Sequence, residues 1–249
     1  MVALLVSRLA SRNVARACRI ALAAIFVAQV ALVFGVALGP VTYRELAAAA
    51  LLVGAGALAE SLAFARGWLR RARDPLVLEP PFEGRWRVGA GGPFPGLNHH
   101  VIARDQFFAY DFIRVGAKSF GSAILAPLAG TVAASSDGMG DRASSFRPDD
   151  PSVVGRELGN YVAIETAQGY VFLCHLANGS VRVRTGDRVA AGDEVGRCGN
   201  SGRTTRPHLH IHAQDEPAYS FDRARGIPIA FRERGATKLL RPLGVLSGR

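Results

Sequence analysis

The sequence predicts an all-β domain preceded by an α-helical hydrophobic hairpin, and three observations carry that expectation. An apolar run without charge lies near the N-terminus, and a proline-rich linker follows the apolar region. Beyond the linker, short stretches of alternating or β-branched residues are separated by Gly, Pro, Asn and Asp, the punctuation of tight turns between strands. A chain of 249 residues has length for one sizeable domain or two small ones. The expected division is a membrane anchor over 1–75 and a β domain over 76–249 with its core at about 95–215.

Residues 20–43 read IALAAIFVAQVALVFGVALGPVTY, with only Gln29 and Thr42 clearly polar. Some 20 apolar residues suffice to cross a bilayer core, so a span is expected over about 20–40. A second span is expected at 46–65, LAAAALLVGAGALAESLAFA, although its Ala and Gly content and Glu60 make insertion marginal. A helix lying on the membrane or packed on the first is the alternative. A cleaved signal peptide does not fit, because the N-terminal region is long and no small-x-small site follows a short apolar core.

Most of the formal net charge of +10 comes from this anchor. Arg8, Arg12, Arg16 and Arg19 precede the first apolar run, and Arg66, Arg70, Arg71 and Arg73 follow the second, with Arg44 between them. Only Glu45, Glu60 and Asp74 oppose them, so the β domain is mildly basic at most and nucleic acid is not expected as a partner. By the positive-inside rule both ends of such a hairpin face the cytoplasm.

The linker RARDPLVLEPPFEGRW begins at Arg71. Expected strands then include FFAYDFI, GTVAAS, NYVAIE, YVFLCHL, SVRVR and HLHIHA. No internal repeat interrupts them, and SSDGMGDRASSFRPDDPS, residues 135–152, is a polar loop long enough to restrain or shape a site. APLAGTV at 126–132 and TGDRVAAGDEVG at 185–196 resemble the capped turns of barrel-sandwich folds, where glycines supply positive φ. Biotinyl and lipoyl carriers use such turns as well. They need a modifiable lysine at a hairpin tip, and neither Lys118 nor Lys238 lies in a Met-Lys-like turn.

Three of the six histidines, His208, His210 and His212, alternate in RPHLHIHAQD. On a strand all three point to one face. The others are His99 and His100 in NHH and His175 in FLCHL, and Asp111 sits in AYDF. Two imidazoles and a carboxylate suit a catalytic Zn²⁺ that keeps a fourth position for water, which leaves two further histidines for proton transfer.

This ordered set, with its Gly-rich turns and GNSGRTTRPHLHIH, resembles the lysostaphin-type (LytM-type) zinc metallopeptidases, the peptidoglycan endopeptidases, over about residues 95–215. The resemblance implies one zinc per domain, with Asp111 and His210 as ligands and a third from His100, or from His99 as its alternative. It makes His175 and His208 the catalytic pair, with the division of roles between them open. The implied function is a membrane-anchored endopeptidase acting on peptidoglycan peptides. The alternative is a catalytically silent domain of the same fold that binds or regulates cell-wall enzymes. A phosphotransfer-type domain with a phosphorylated histidine would need no Asp111 and no metal.

One departure stands out: the family has its first histidine four residues before the aspartate, where this chain has Phe107. VIARDQFFAY is therefore expected to form a hairpin that returns the histidine strand beside Asp111, and only one of two adjacent strand residues can then coordinate. His212 is expected to be a solvated strand residue, with a place behind the metal ligands or lining the groove as the alternative. Arg203 and Arg206 flank the turn into PHLH and are surface residues by default, within reach of a stem-peptide carboxylate. Asn160 and Tyr161 open a strand beside the site, with a core role equally open for Tyr161. Cys174 should point away from the metal, and Cys174 and Cys198 are expected as two buried free thiols, with a disulfide between them in an extracytoplasmic domain as the alternative, while Cys18 at the edge of the first span carries no message. The implied substrate requires the β domain outside the inner membrane, which conflicts with the arginines at both ends of a two-span hairpin unless 46–65 does not cross. The oligomeric state is open.

Overall fold

The computed structural model describes residues 43–142, 151–218 and 223–248. The chain separates into two compact units, Met1–Arg66 and Gly67–Arg249. Helix α1 (Tyr43–Arg71) ends on Arg70 and Arg71, cations at the negative end of the helix dipole. Among the described residues no helix is long and apolar enough to cross a membrane. The span expected at 20–40 lies outside the described residues, and the one expected at 46–65 falls within α1, which carries Glu60 and three glycines, so no membrane hairpin is described.

In the second unit the strands are β1 (Leu76–Leu78), β2 (Arg85–Gly91), β3 (Tyr110–Arg114), β4 (Ala123–Leu125), β5 (Gly130–Ser136), β6 (Asn160–Thr166) and β7 (Gly169–Leu176). They continue as β8 (Arg188–Val189), β9 (Glu194–Arg197), β10 (Leu209–Gln214), β11 (Gly226–Ile227), β12 (Ile229–Glu233), β13 (Ala236–Lys238) and β14 (Val245–Ser247). The main sheet has nine strands in the order β14-β2-β3-β10-β7-β6-β5-β8, with β11 pairing β10 off that path. Two small sheets, β1-β12-β13 and β4-β9, accompany it. This is the mostly-β fold expected. It is antiparallel throughout the described residues except at the edge pair β1 and β12, which run parallel.

One expected strand, SVRVR, does not form. The Asp137 carboxylate accepts from the N–H groups of Gly179 and Val181, and Asp187 accepts from that of Arg184, so side chains satisfy donors that a neighbouring strand would otherwise take. Gly186 and Gly192 in the neighbouring turn have φ of 96° and 100°, as the turn signature requires.

The core decides which way the site points. Phe82 stacks on Trp86 with ring centroids 4.8 Å apart, Phe112 meets Phe82 at 5.0 Å, and Phe231 meets Phe112 at 5.4 Å. All four are fully buried, each removing a large apolar area from water. Tyr110 and Phe112 both turn into this cluster, so pleating sends Asp111 between them to the opposite face of β3. On β10 the same alternation buries Leu209, Ile211 and Ala213 and sends His210, His212 and Gln214 the other way.

Candidate metal centre and active site

Asp111, His210 and Cys174 stand directly opposite one another across β3, β10 and β7. Residues opposite in antiparallel strands share a face, so the ladder brings Cys174 to the side of Asp111 and His210. The expectation that Cys174 points away is corrected by a β-bulge: pairing passes from Val162–Leu173 to Asn160–Leu176, so Tyr161 faces both Cys174 and His175. His175 has φ of 62°, and its ring lies 4.8 Å from His208 and 5.6 Å from His210. Cys174 and Cys198 are buried free thiols.

His99 and His100 lie not on a strand but in a 3-10 turn, His99–Ile102. The Asn98 side chain accepts from the His100 N–H at 3.1 Å and donates to the Gly92 carbonyl at 2.8 Å, fixing the turn at its start. VIARDQFFAY is accordingly turn and loop up to β3 rather than a hairpin of two strands. The rule that one of two neighbours must face away fails with it, since a 3-10 turn separates neighbours by about a third of a revolution and not by half. His99 Nε2 comes within 3.8 Å of Asp111 Oδ2 and His100 Nε2 within 3.2 Å of Asp111 Oδ1, the two rings 4.0 Å apart. His99 is exposed and His100 buried.

Asp111 Oδ1 is the centre of the cluster. Besides His100 Nε2, it has His210 Nδ1 at 2.9 Å and His208 Nε2 at 3.5 Å. Burial alone would raise the Asp111 pKa, but His100 and His208 hold it well below the usual carboxylate range. Burial presses the imidazoles the other way: His175 falls well below its ordinary value, and His210 and His212 are lowered to about 3. Burial would lower His208 as well, yet the Asp111 charge and hydrogen bond raise it overall. Near neutral pH the site thus sets a carboxylate among the neutral, lone-pair-bearing imidazoles of His175, His210 and His212.

His175 Nδ1 donates to the Ser201 carbonyl at 2.8 Å and His208 Nδ1 to the Arg206 carbonyl at 2.8 Å. A neutral imidazole has one N–H, so His175 keeps a bare Nε2 for the site, whereas His208, its pKa raised, turns Nε2 to Asp111 Oδ1 at 3.5 Å. Thr204 Oγ1 lies 3.1 Å from His208 Nδ1 and 3.0 Å from Asn200 Oδ1. His212 is not solvated: it is buried, stacks on Phe172 with centroids 4.8 Å apart, and places Nδ1 3.1 Å from His210 Nε2. Its Nε2 lies 3.2 Å from Gln214 Oε1.

Asn160 is fully buried and ties Met139 to Leu176 through its side chain, a structural task. Tyr161 is half-buried against Phe172, and Arg203 and Arg206 are exposed. Of the polar loop, the end at Asp141 and Arg142 is pinned to Asn178 and Asn200, while 143–150 lie outside the described residues. The residues that sequence reading missed are Ser201, Thr204 and Gln214. Gln214 had a signal, since it continues the two-residue period of His208, His210 and His212.

The donor set fits a zinc ion. His100 Nε2 is buried without a hydrogen-bond partner, an orphan a cation would satisfy. His99, His100 and Asp111 offer ligand atoms all within 4.8 Å of one another, and His210 adds an imidazole nitrogen 2.9 Å from the carboxylate. Nitrogen and carboxylate donors at this number suit zinc.

Residues 113–220 match a family profile described as "Peptidase family M23". The match takes in His175, His208 and His210 and begins just after Asp111, so the displaced His99–His100 turn lies before it. Among solved structures, the catalytic domain of the prophage-encoded M23 protein EnpA from Enterococcus faecalis is 24% identical, with 59% of this chain covering 88% of that one at a TM-score of 0.38. The antimicrobial peptidase lysostaphin from Staphylococcus simulans is 20% identical over 58% of this chain and 47% of its own, TM-score 0.36. A zinc-containing peptidase from Vibrio cholerae is 19% identical over 55% of this chain and 36% of its own, TM-score 0.33. The chain thus spans less than half the length of the last two. The resemblance drawn from the histidine pattern stands: residues 113–220 of the β domain match peptidase family M23, the lysostaphin-type peptidases, which are usually zinc metalloendopeptidases.

Proposed function

We propose that this chain is a membrane-anchored zinc endopeptidase that hydrolyses peptide bonds in the cross-links or stem peptides of bacterial peptidoglycan. The observation that carries the reading is the buried, unpartnered His100 Nε2 beside Asp111 and His210 Nδ1, in a domain of a peptidase family. His100, Asp111 and His210 would hold one zinc, with His99 as the alternative to His100. Bound there, zinc supplies Lewis acidity, lowering the pKa of water to near 7 and polarising an amide carbonyl.

The remaining chemistry belongs to His175 and His208. Each commits its Nδ1–H to a backbone carbonyl, so His175, and His208 once it has given up its second proton, accepts a proton at Nε2 from the attacking water and returns it to the departing amide nitrogen. The ring that carries the proton can also donate to the oxyanion, a contact worth about 10² to 10³ in rate. Tyr161, across the bulge from His175, and the exposed Arg206, whose carbonyl accepts from His208, border this pair, where a substrate peptide would lie.

Residues 20–40, uncharged and preceded by Arg8 to Arg19, support a single membrane span with the β domain outside the cytoplasmic membrane. Alkaline phosphatase fused after the domain would be active if it is exported and inactive if both ends of the anchor face the cytoplasm.

The deciding experiment is elemental analysis of the purified full chain together with digestion of purified cell walls. About one zinc per chain and release of new amino termini are expected, both lost in Asp111→Ala and His210→Ala. A chain that holds no zinc and cuts nothing, yet sediments with walls, would replace the enzyme by a binding module.

A further inference from the structure

The face of β10 that carries His210 does not stop at the site. Asp111, His210, His212 and Gln214 form an unbroken buried line, with 2.9 Å from Asp111 Oδ1 to His210 Nδ1, 3.1 Å from His210 Nε2 to His212 Nδ1, and 3.2 Å from His212 Nε2 to Gln214 Oε1. His210, His212 and Gln214 are 3%, 1% and 0% exposed, so no solvent offers them alternative partners. At its far end the Gln214 amide nitrogen donates to the carbonyls of Glu216 at 2.8 Å and Ala218 at 2.9 Å.

Those two carbonyls decide the direction of the whole line. Carbonyl oxygens only accept, so the Gln214 group facing them must be its NH₂, and its Oε1 must face His212. Oε1 also only accepts, hence His212 Nε2 carries the hydrogen and a neutral His212 has a bare Nδ1. A bare Nδ1 requires its neighbour His210 Nε2 to carry the hydrogen between them. A neutral His210 then has a bare Nδ1, and that atom faces the Asp111 carboxylate at 2.9 Å, acceptor against acceptor. Two acceptors at that separation repel unless a cation lies beside them both.

We propose that Gln214, acting through His212, is the positioning residue that holds His210 in the Nε2–H tautomer and so presents its Nδ1 lone pair to the metal. This rests on the zinc reading above. His175 has the opposite tautomer, set by a backbone carbonyl, so the site keeps ligand and proton acceptor distinct by which nitrogen each ring protonates. Partners of this kind behind a metal ligand are typically worth about 10- to 100-fold in metal affinity.

The test combines nitrogen-15 NMR of histidine-labelled full chain, free of metal, with zinc affinity from chelator competition. His210 and His212 should both show the Nε2–H pattern, and His175 the Nδ1–H pattern. Gln214→Leu and His212→Leu should weaken zinc binding about 10- to 100-fold. His212→Gln should restore it, because a glutamine there presents an oxygen to His210 and an amide to Gln214 while abolishing the ring. A His210 found as the Nδ1–H tautomer, or His212→Leu binding zinc as tightly as the unaltered chain, overturns the proposal. If Leu variants fail to fold, the tautomers of the unaltered chain and the affinity of His212→Gln still decide. A chain that binds no zinc sinks the metal reading, whereas the tautomers report on the relay alone.

Discussion

Two pairs of histidines share one sheet face and are held in different ways. His175 and His208 have their N–H groups on the carbonyls of Ser201 and Arg206, parts of the loop that runs into β10. His210 and His212 are held by side chains along the strand, ending on Gln214. A backbone carbonyl anchors a ring that must change its protonation without moving, because the anchor is part of the chain path. A side-chain line instead fixes a ring whose lone pair must stay in one place. On the proposed reading the physical difference is between groups that would exchange protons and groups that would present a lone pair to a cation.

Substitutions at the cation-holding side should have the largest effect. Asp111→Ala or His210→Ala should reduce zinc from about one per chain to near none, with cell-wall digestion abolished. His100→Ala should do the same while His99→Ala leaves most of the zinc in place, since His100 is buried and unpartnered and His99 is exposed. Equal losses at the two positions would show that both rings ligate. On the proton-handling side, His175→Ala should retain zinc and lose about 10² to 10⁴ in rate. Loss of zinc together with rate would collapse the distinction between the pairs.

Acid should weaken the metal-free fold through the cation-holding pair. Unfolded, His210 and His212 bind protons below 6.5, but folded only at about 3, so the unfolded chain binds more protons between those values and stability falls as pH falls. Asp111 acts in the same direction further down: its contribution is complete above 3.8 and is lost as pH drops through its lowered folded value. His208 opposes them, contributing fully below 6.5 and fading as pH rises through its raised value. The melting temperature of chelator-treated protein should therefore fall between pH 7 and pH 4, and a flat profile would show that the pair is not buried neutral. The smallest effect belongs to Thr204→Val, which removes the hydroxyl between Asn200 and His208 and should cost about 1 kcal/mol. A drop of about 2–4 °C in melting temperature would register it.

The histidines at 208, 210 and 212 show how far periodicity reaches. Alternation by itself puts them on one face, and it extends to Gln214, whose amide carries no chemical hint without the carbonyls of Glu216 and Ala218 as its partners. Alternation fails at Cys174 and His175, because a bulge against Tyr161 is a property of two strands pairing and not of either one. It fails again at His99 and His100, where Asn98 caps a 3-10 turn by bonding to Gly92 beyond the end of β2.

From sequence alone came the β character of the domain, the turn glycines, the set of chemistry-bearing residues and the resemblance to the lysostaphin-type peptidases, because these depend on side-chain period and residue type within a few positions. Only the tertiary structure decided that Asp111 stands opposite His210, that both His99 and His100 reach its carboxylate, that Cys174 shares their face and that His212 is buried. Each of these is a contact between segments far apart in the chain, set by strand register and by the aromatic core that turns Tyr110 and Phe112 inward and Asp111 outward.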